Sequence, residues 1–151
     1  MSAPVRAGPA DAALIAALHE AAYSRNRPLI GVEPLPLQVE AEELVRTKEV
    51  WLFEESDAPA GVLVLEPQAD ALLIWSVATT PAAQGRGIGG AMLDFAEQHA
   101  RELGFGQMRL YTGAKLTSNV AWYQRRGYQI DRVETLADRE IVHMSKRLAA
   151  G

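Results

Sequence analysis

Apolar positions along this chain follow two rhythms, one helical and one typical of strands, and together they predict an alternating series of elements. Pro4–Ala7 reads as a short first strand closed by Gly8 and Pro9. From Asp11 to about Arg25, Leu14, Leu18, Ala21 and Ala22 fall at helical spacing, which predicts a first helix. His19 lies at the edge of that stripe and is expected at the surface or boundary. Residues 26–36 are too rich in proline and glycine for regular helix or a central strand, and this apolar loop is expected to face a substrate. A polar second helix is expected over Leu37–Thr47, carrying Glu40, Glu42 and Glu43.

Three apolar runs follow, Val50–Glu55, Ala60–Glu66 and Ala71–Ala78, separated by turns at Ser56–Pro59 and Pro67–Asp70. They read as an antiparallel meander. The third run is apolar on both faces and should lie centrally in the sheet. Thr79–Ala83 links it to a glycine-rich turn, and a helix then runs from about Gly87 to Leu103. Its inward stripe is Ile88, Met92, Phe95, Ala96 and Leu103, with His99 as a packed, hydrogen-bonded structural residue and Gly104 as the stop. Gln107–Thr112 is the next strand, and strand–helix–strand here implies a parallel, right-handed crossover. Thr117 or Ser118 can cap a short helix over Asn119–Arg126 that Gly127 ends. Tyr128–Glu134 and Glu140–Lys146 form a closing hairpin. The order of elements predicts an α/β fold, a mixed sheet in one domain spanning residues 1–151.

Composition narrows the function without choosing it. The 151 residues can bury roughly 70% of their unfolded surface. The net charge of −4 comes with no basic stripe, which argues against a nucleic-acid partner. The mild acidic excess suits a cationic small substrate and suits an ordinary surface equally well. The absence of cysteine excludes disulfides, zinc–thiolate sites and a covalent cysteine intermediate. Met-Ser-Ala-Pro-Val-Arg lacks the apolar core of a signal peptide, and no apolar run approaches membrane-spanning length. A cytoplasmic protein with no membrane partner is expected.

Chemistry concentrates in Gln84-Gly85-Arg86-Gly87-Ile88-Gly89-Gly90, a glycine-rich turn that opens a helix. Backbone N–H groups there can converge on an anion, helped by the positive end of the helix dipole. Gly85, Gly87 and Gly90 match a dinucleotide fingerprint formally, but Pro81 intervenes after the strand and the next strand ends without an acid. A nucleotide-triphosphate loop needs Gly-Lys-Ser/Thr, and here Gly89-Gly90 is followed by Ala91-Met92. The third reading fits. Gln84-x-x-Gly87-x-Gly89 between strand and helix resembles the coenzyme A pyrophosphate loop of the GNAT acetyltransferase superfamily. Asn119-Val-Ala-Trp122-Tyr123-Gln-Arg-Arg-Gly127-Tyr128 resembles that family's C-terminal acetyl-CoA segment. The element order matches over nearly the whole chain.

The resemblance implies a mostly antiparallel sheet with a central, splayed parallel strand pair and flanking helices. It implies that the backbone amides of Gly85, Arg86, Gly87, Ile88 and Gly89, with that of Gln84, hold the pyrophosphate of acetyl-CoA. Arg86 either adds charge toward a phosphate or is an exposed helix-start arginine. By the same match, Val77, Ala78 and Thr79 splay from Leu110-Tyr111-Thr112 and pair with the pantetheine arm, and a backbone N–H near Val77 polarises the thioester carbonyl. Asn119 and Tyr123, four apart on one helix face, would contact the cofactor arm and the thioester sulfur. No metal is implied.

The general base is not singled out. The strand Leu72-Leu73-Ile74-Trp75-Ser76 has no carboxylate, where many relatives carry a glutamate. A water relay, Glu33, Glu66 or His143 could serve. Ile30, Glu33, Trp75 and Tyr111 are candidate walls for a small-molecule or peptide amine acceptor. The leading expectation is an acetyl-CoA-dependent N-acetyltransferase acting by direct attack in a ternary complex. Its competitors are a non-catalytic acyl-CoA-binding or regulatory domain and an acyltransferase with another donor. The C-terminal hairpin is a surface that a homodimer could use.

Overall fold

A computed structural model describes residues 3–149. Seven strands form one sheet: β1 (Val5–Arg6), β2 (Glu49–Glu55), β3 (Ala58–Pro67), β4 (Leu72–Thr79), β5 (Gln107–Gly113), β6 (Gln129–Thr135) and β7 (Glu140–Arg147). Their order across the sheet is β1-β2-β3-β4-β5-β7-β6. Every neighbouring pair is antiparallel except β4 and β5, which are parallel. The expected mixed, mostly antiparallel sheet is therefore present, with the apolar run β4 at its centre.

Period-two alternation explains how both faces of the sheet are covered. On β3, Leu63 and Leu65 face one core while Val62 and Val64 face the other, and all four are fully buried. The first core receives Ile88, Met92, Leu93 and Ala96 from α4 (Ile88–Glu102), with Tyr123 from α5 (Thr117–Arg125). The second receives Ile15, Leu18 and Ala22 from α1 (Ala12–Tyr23) and Leu44 from α3 (Ala41–Thr47). Between β2 and β3, Ser56 and Asp57 both take positive φ (53° and 65°), the geometry of a tight two-residue hairpin.

Two irregularities shape the centre of the sheet. Ser76 pairs with Val64 and Ile74 with Leu65, so Trp75 is the extra residue of a β-bulge in β4. The parallel pairing runs only from Leu72↔Met108 to Ile74↔Leu110. Beyond that point β5 continues beside β7 while β4 continues beside β3, and the two strands part.

Several sequence expectations are corrected. The α1 stripe is phased differently: Ile15 is fully buried and Ala21 is exposed. Residues 26–36 contain a single helical turn, α2 (Arg27–Ile30), with Pro28 in its first turn, where a missing N–H costs nothing, and Gly31 at φ 77° ending it. The helix expected over Leu37–Thr47 is divided into a 3-10 turn, Leu35–Gln38, and α3, because Val39 and Glu40 are extended. Leu116, not Thr117 or Ser118, precedes the first turn of α5, and no side chain caps it. Leu103 lies at the end of α4 and is exposed instead of inward.

The two helical histidines differ in outcome. His99 is packed as expected, with Nε2 2.8 Å from Glu49 Oε1 and its ring stacked on Phe95. His19 is buried, not at the surface, and its Nε2 lies 3.1 Å from Ser76 Oγ. A hydroxyl on the central strand gives the imidazole a partner, and that makes its burial tolerable.

Burial lowers the His19 pKa from 6.5 to about 4. Both folded and unfolded forms are neutral above pH 6.5, so His19 has no effect there. As pH falls from 6.5 toward 4, the unfolded chain binds a proton that the folded chain refuses, and stability drops by roughly 3 kcal/mol. Denaturant titrations across this window should give a shallower loss for His19→Gln than for the parent. Equal losses in the two proteins would contradict the assignment.

Candidate functional site

The glycine turn is built for backbone exposure. Gly85 and Gly87 both sit at φ 80°, the left-handed region that side chains resist, and Gly87 immediately precedes α4. The first intrahelical bond runs from Ala91 N–H to Gly87 O at 3.0 Å. The N–H groups of Ile88, Gly89 and Gly90 therefore have no acceptor within the helix. The N–H groups of Gln84 and Arg86 make long bonds to Pro81 O (3.4 Å) and Ala83 O (3.3 Å), respectively.

Helix α5 closes one side of this turn. A Cβ on Gly89 would touch the Trp122 ring at 3.4 Å, and one on Gly90 would lie 2.1 Å from Arg126 Nη2. The Arg126 guanidinium lies over the Trp122 ring at 5.4 Å and 3.6 Å from Asp94 Oδ1. Gln84 Oε1 accepts from Arg25 Nη1, whereas its Nε2 is buried without a partner among the described residues. Arg86 turns outward, with Nη1 3.0 Å from Glu55 Oε1.

Two cavities meet beside the splayed strands. The first, about 380 Å³, is lined by Val77, Ala78, Thr79, Gln84, Gly85, Gly87, Ile88, Gly89, Asn119 and Tyr123. Of the residues expected to bind cofactor, Arg86 alone is absent from its walls. The second, about 120 Å³, includes the acceptor-wall candidates Ile30, Trp75 and Tyr111. Glu33 lines neither cavity, and its carboxylate is 2.7 Å from Arg27 Nε. The cavities share Tyr23, Asn26, Val77, Asn119 and Tyr123.

Tyr123 is held edge-on against Trp122 and Tyr128, with ring centroids 5.1 and 5.9 Å away. Its hydroxyl makes no hydrogen bond among the described residues. Burial raises the phenol above its ordinary range, with nearby Tyr23 adding to the effect, so Tyr123 stays protonated at any working pH.

The sequence reading missed Tyr23, whose hydroxyl lies 2.9 Å from Ser76 Oγ and donates to Val77 O at 3.2 Å. A carbonyl can only accept, so the donors run in one direction, from His19 Nε2–H to Ser76, then Tyr23, then Val77 O. His19 is thereby a donor at Nε2, not a base directed into the cavities. A signal was available: His19 and Tyr23 are four apart on one helix, and Ser76 interrupts an apolar strand.

The candidate bases lie outside both cavities. Glu66 pairs with Lys48 at 2.7 Å, and His143 Nε2 lies 2.8 Å from Glu134 Oε1. Glu140, at the start of β7, is the one carboxylate lining the smaller cavity, and no sequence pattern marked it. Among the described residues, no cluster of three or more His, Asp or Glu could hold a metal ion, and no helix is long and apolar enough to cross a membrane.

Open space surrounds the position of a Gly87 Cβ, so Gly87→Ala should destabilise the fold through backbone strain alone, by about 1–2 kcal/mol. Chemical denaturation of the two proteins measures this, and an unchanged midpoint would contradict the left-handed assignment.

Comparison with known proteins supplies a context for this geometry. The family described as "Acetyltransferase (GNAT) family" matches residues 15–128. A mycothiol acetyltransferase of Nocardia farcinica is 31% identical over 130 residues, covering 81% of this chain and 43% of that protein. The chain thus spans less than half the length of that relative. Among solved structures, the PaiA N-acetyltransferase of Thermoplasma acidophilum, in complex with coenzyme A, superposes with a TM-score of 0.80 at 15% identity. That match covers 97% of this chain and 99% of the other. The ribosomal-protein-S18-alanine N-acetyltransferase of Escherichia coli gives 0.79 at 16% identity, covering 100% and 97%. At these identities the structural likeness concerns the fold.

Proposed function

The chain belongs to the GNAT acetyltransferase family, and from that premise we propose that its single domain transfers the acetyl group of acetyl-CoA to a primary amine. The observation that carries this reading is the meeting of two cavities at Tyr123 and Val77, one walled by the glycine turn and the other by apolar side chains. Direct attack in a ternary complex suits that layout, and the absence of cysteine removes an acetyl-cysteine route.

The residues of the larger cavity fit coenzyme A. Unpartnered N–H groups at the start of α4 suit a pyrophosphate. The orphaned Gln84 Nε2 is a buried donor that lacks an acceptor, and the edge of β4 beyond Ile74 is not paired with β5. Val77, Ala78 and Thr79 would hold the pantetheine arm along that edge, with Asn119 beside it. When bound, acetyl-CoA supplies an acyl group activated on a thioester.

Tyr123 acts as a hydrogen-bond donor to the leaving sulfur. A thiol of pKa about 8.5 and an ordinary tyrosine near 10 make complete proton transfer uphill by roughly 2 kcal/mol. Burial raises the Tyr123 phenol further and increases that cost. The phenol therefore stabilises developing negative charge while keeping its proton, and solvent delivers the proton afterwards. An amine of pKa near 10 must also lose a proton before or during attack. Glu140 and water in the smaller cavity are the route open to it, because Glu33, Glu66 and His143 lie outside.

One observation favours a second reading. The segment Leu72–Ser76 has no carboxylate facing the junction, which also suits a non-catalytic acyl-CoA-binding domain. Free thiol release from acetyl-CoA with an amine panel separates the two. For the catalytic reading, Tyr123→Phe should lower turnover tenfold or more and leave coenzyme A affinity nearly unchanged. Unaltered turnover would remove Tyr123 from the mechanism, and binding without any thiol release would favour the second reading.

A further inference from the structure

The smaller cavity is mostly apolar, with Ile30, Leu35, Trp75, Leu116 and Ile141 among its walls. Its charged lining is the surprise. Lys115 and Arg139 face it with one carboxylate, Glu140, on a chain whose net charge is −4. Acidic composition had suited a cationic substrate, but the charges at this cavity are mainly positive.

Arg139 is the informative group. Its side chain is only 7% exposed, an unusual degree of burial for a guanidinium. Nε and Nη2 are held by Asp138 Oδ1 and Oδ2 at 3.2 and 3.1 Å, while Asp138 itself is exposed to solvent. Among the described residues Nη1 has no partner. Nη1 is not sealed from solvent, so water meets it in the free protein and the edge is open to a ligand entering the cavity; a planar carboxylate matches a guanidinium fork best. The hairpin turn fixes its backbone, with Leu136 N–H bonded to Arg139 O at 2.7 Å.

We propose that the acceptor amine carries a carboxylate, which Arg139 binds from the β6–β7 turn while the apolar walls take the body of the molecule. This rests on the acetyl-transfer reading only in calling the ligand an acceptor. A polyamine is disfavoured, because its second ammonium would meet Lys115 and Arg139. A plain arylalkylamine would leave the Arg139 edge to water.

Calorimetric titration of the full chain saturated with coenzyme A tests this without requiring turnover. The probes are matched pairs: p-(aminomethyl)benzoate with p-methylbenzylamine, and phenylalanine with phenethylamine. In at least one pair the carboxylated amine should bind about tenfold tighter or more, the worth of a charge-assisted hydrogen bond. In Arg139→Gln that ratio should fall below about threefold. In Asp138→Asn, which keeps the guanidinium and removes its competitor, the ratio should rise. Equal affinities in both pairs, no binding by any probe, or a preference that survives in Arg139→Gln overturns the proposal. A preference that depends on Arg139, in a protein that releases no thiol, upholds it and overturns the acetyl-transfer reading instead.

Discussion

The structure depends on a strand pairing that stops early. β4 and β5 are hydrogen-bonded for three residues, from Leu72 to Ile74 and from Met108 to Leu110, and then separate in the middle of the sheet. Buried backbone groups left without partners cost about 1–3 kcal/mol each. The molecule offsets this from the helical layer. Tyr23 reaches from α1 to the Val77 carbonyl, and Ser76 and His19 continue the chain of donors behind it. Both cavities open along the split. The bulge at Trp75 belongs to the same economy, since one extra residue re-aims the strand where β5 leaves it.

The split explains why the remaining parts lie where they do. The pair diverges while its outer edges stay paired, β4 to β3 and β5 to β7. A parallel pair requires a crossover, and the crossover helix α4 begins at the end of β4, near the opening. The orphan N–H groups of α4 therefore face the same space as the free edge of the strand. Trp122 of α5 and Arg126, the residue that follows it, crowd Gly89 and Gly90 from the side.

How much of this was legible follows from what kind of information each part uses. The doubly buried runs of β3 and β4 and the stripe Ile88–Met92–Ala96 announce themselves by period, and they carry the topology. Positive-φ glycines announce the turn. Residues 24–40 were misread because the chain there is assembled from single turns, and Pro28, Gly31 and Pro36 are as compatible with short helices as with loops. His19 was misread because its burial depends on Ser76, which is 57 positions away in sequence. No local window contains both residues.

The same distinction separates the two halves of the proposed active site. Recognition through backbone N–H groups needs glycine at particular φ values, so it leaves a contiguous signature from Gln84 to Gly90. The smaller cavity is walled by residues from α1, α2, the segment around Leu35, β4, β5 and the loop after it, α5 and the β6–β7 turn, with no element contributing more than four. Arg139 and Glu140 look in sequence like any charged turn, because an exposed hairpin would favour the same residues. Only the burial of the Arg139 guanidinium beside a solvent-facing Asp138 distinguishes it from a surface ion pair. A surface pair of that kind contributes little to stability. A guanidinium packed into a cavity wall, with one edge that no protein group accepts from and that solvent can reach, is placed to meet a ligand entering there.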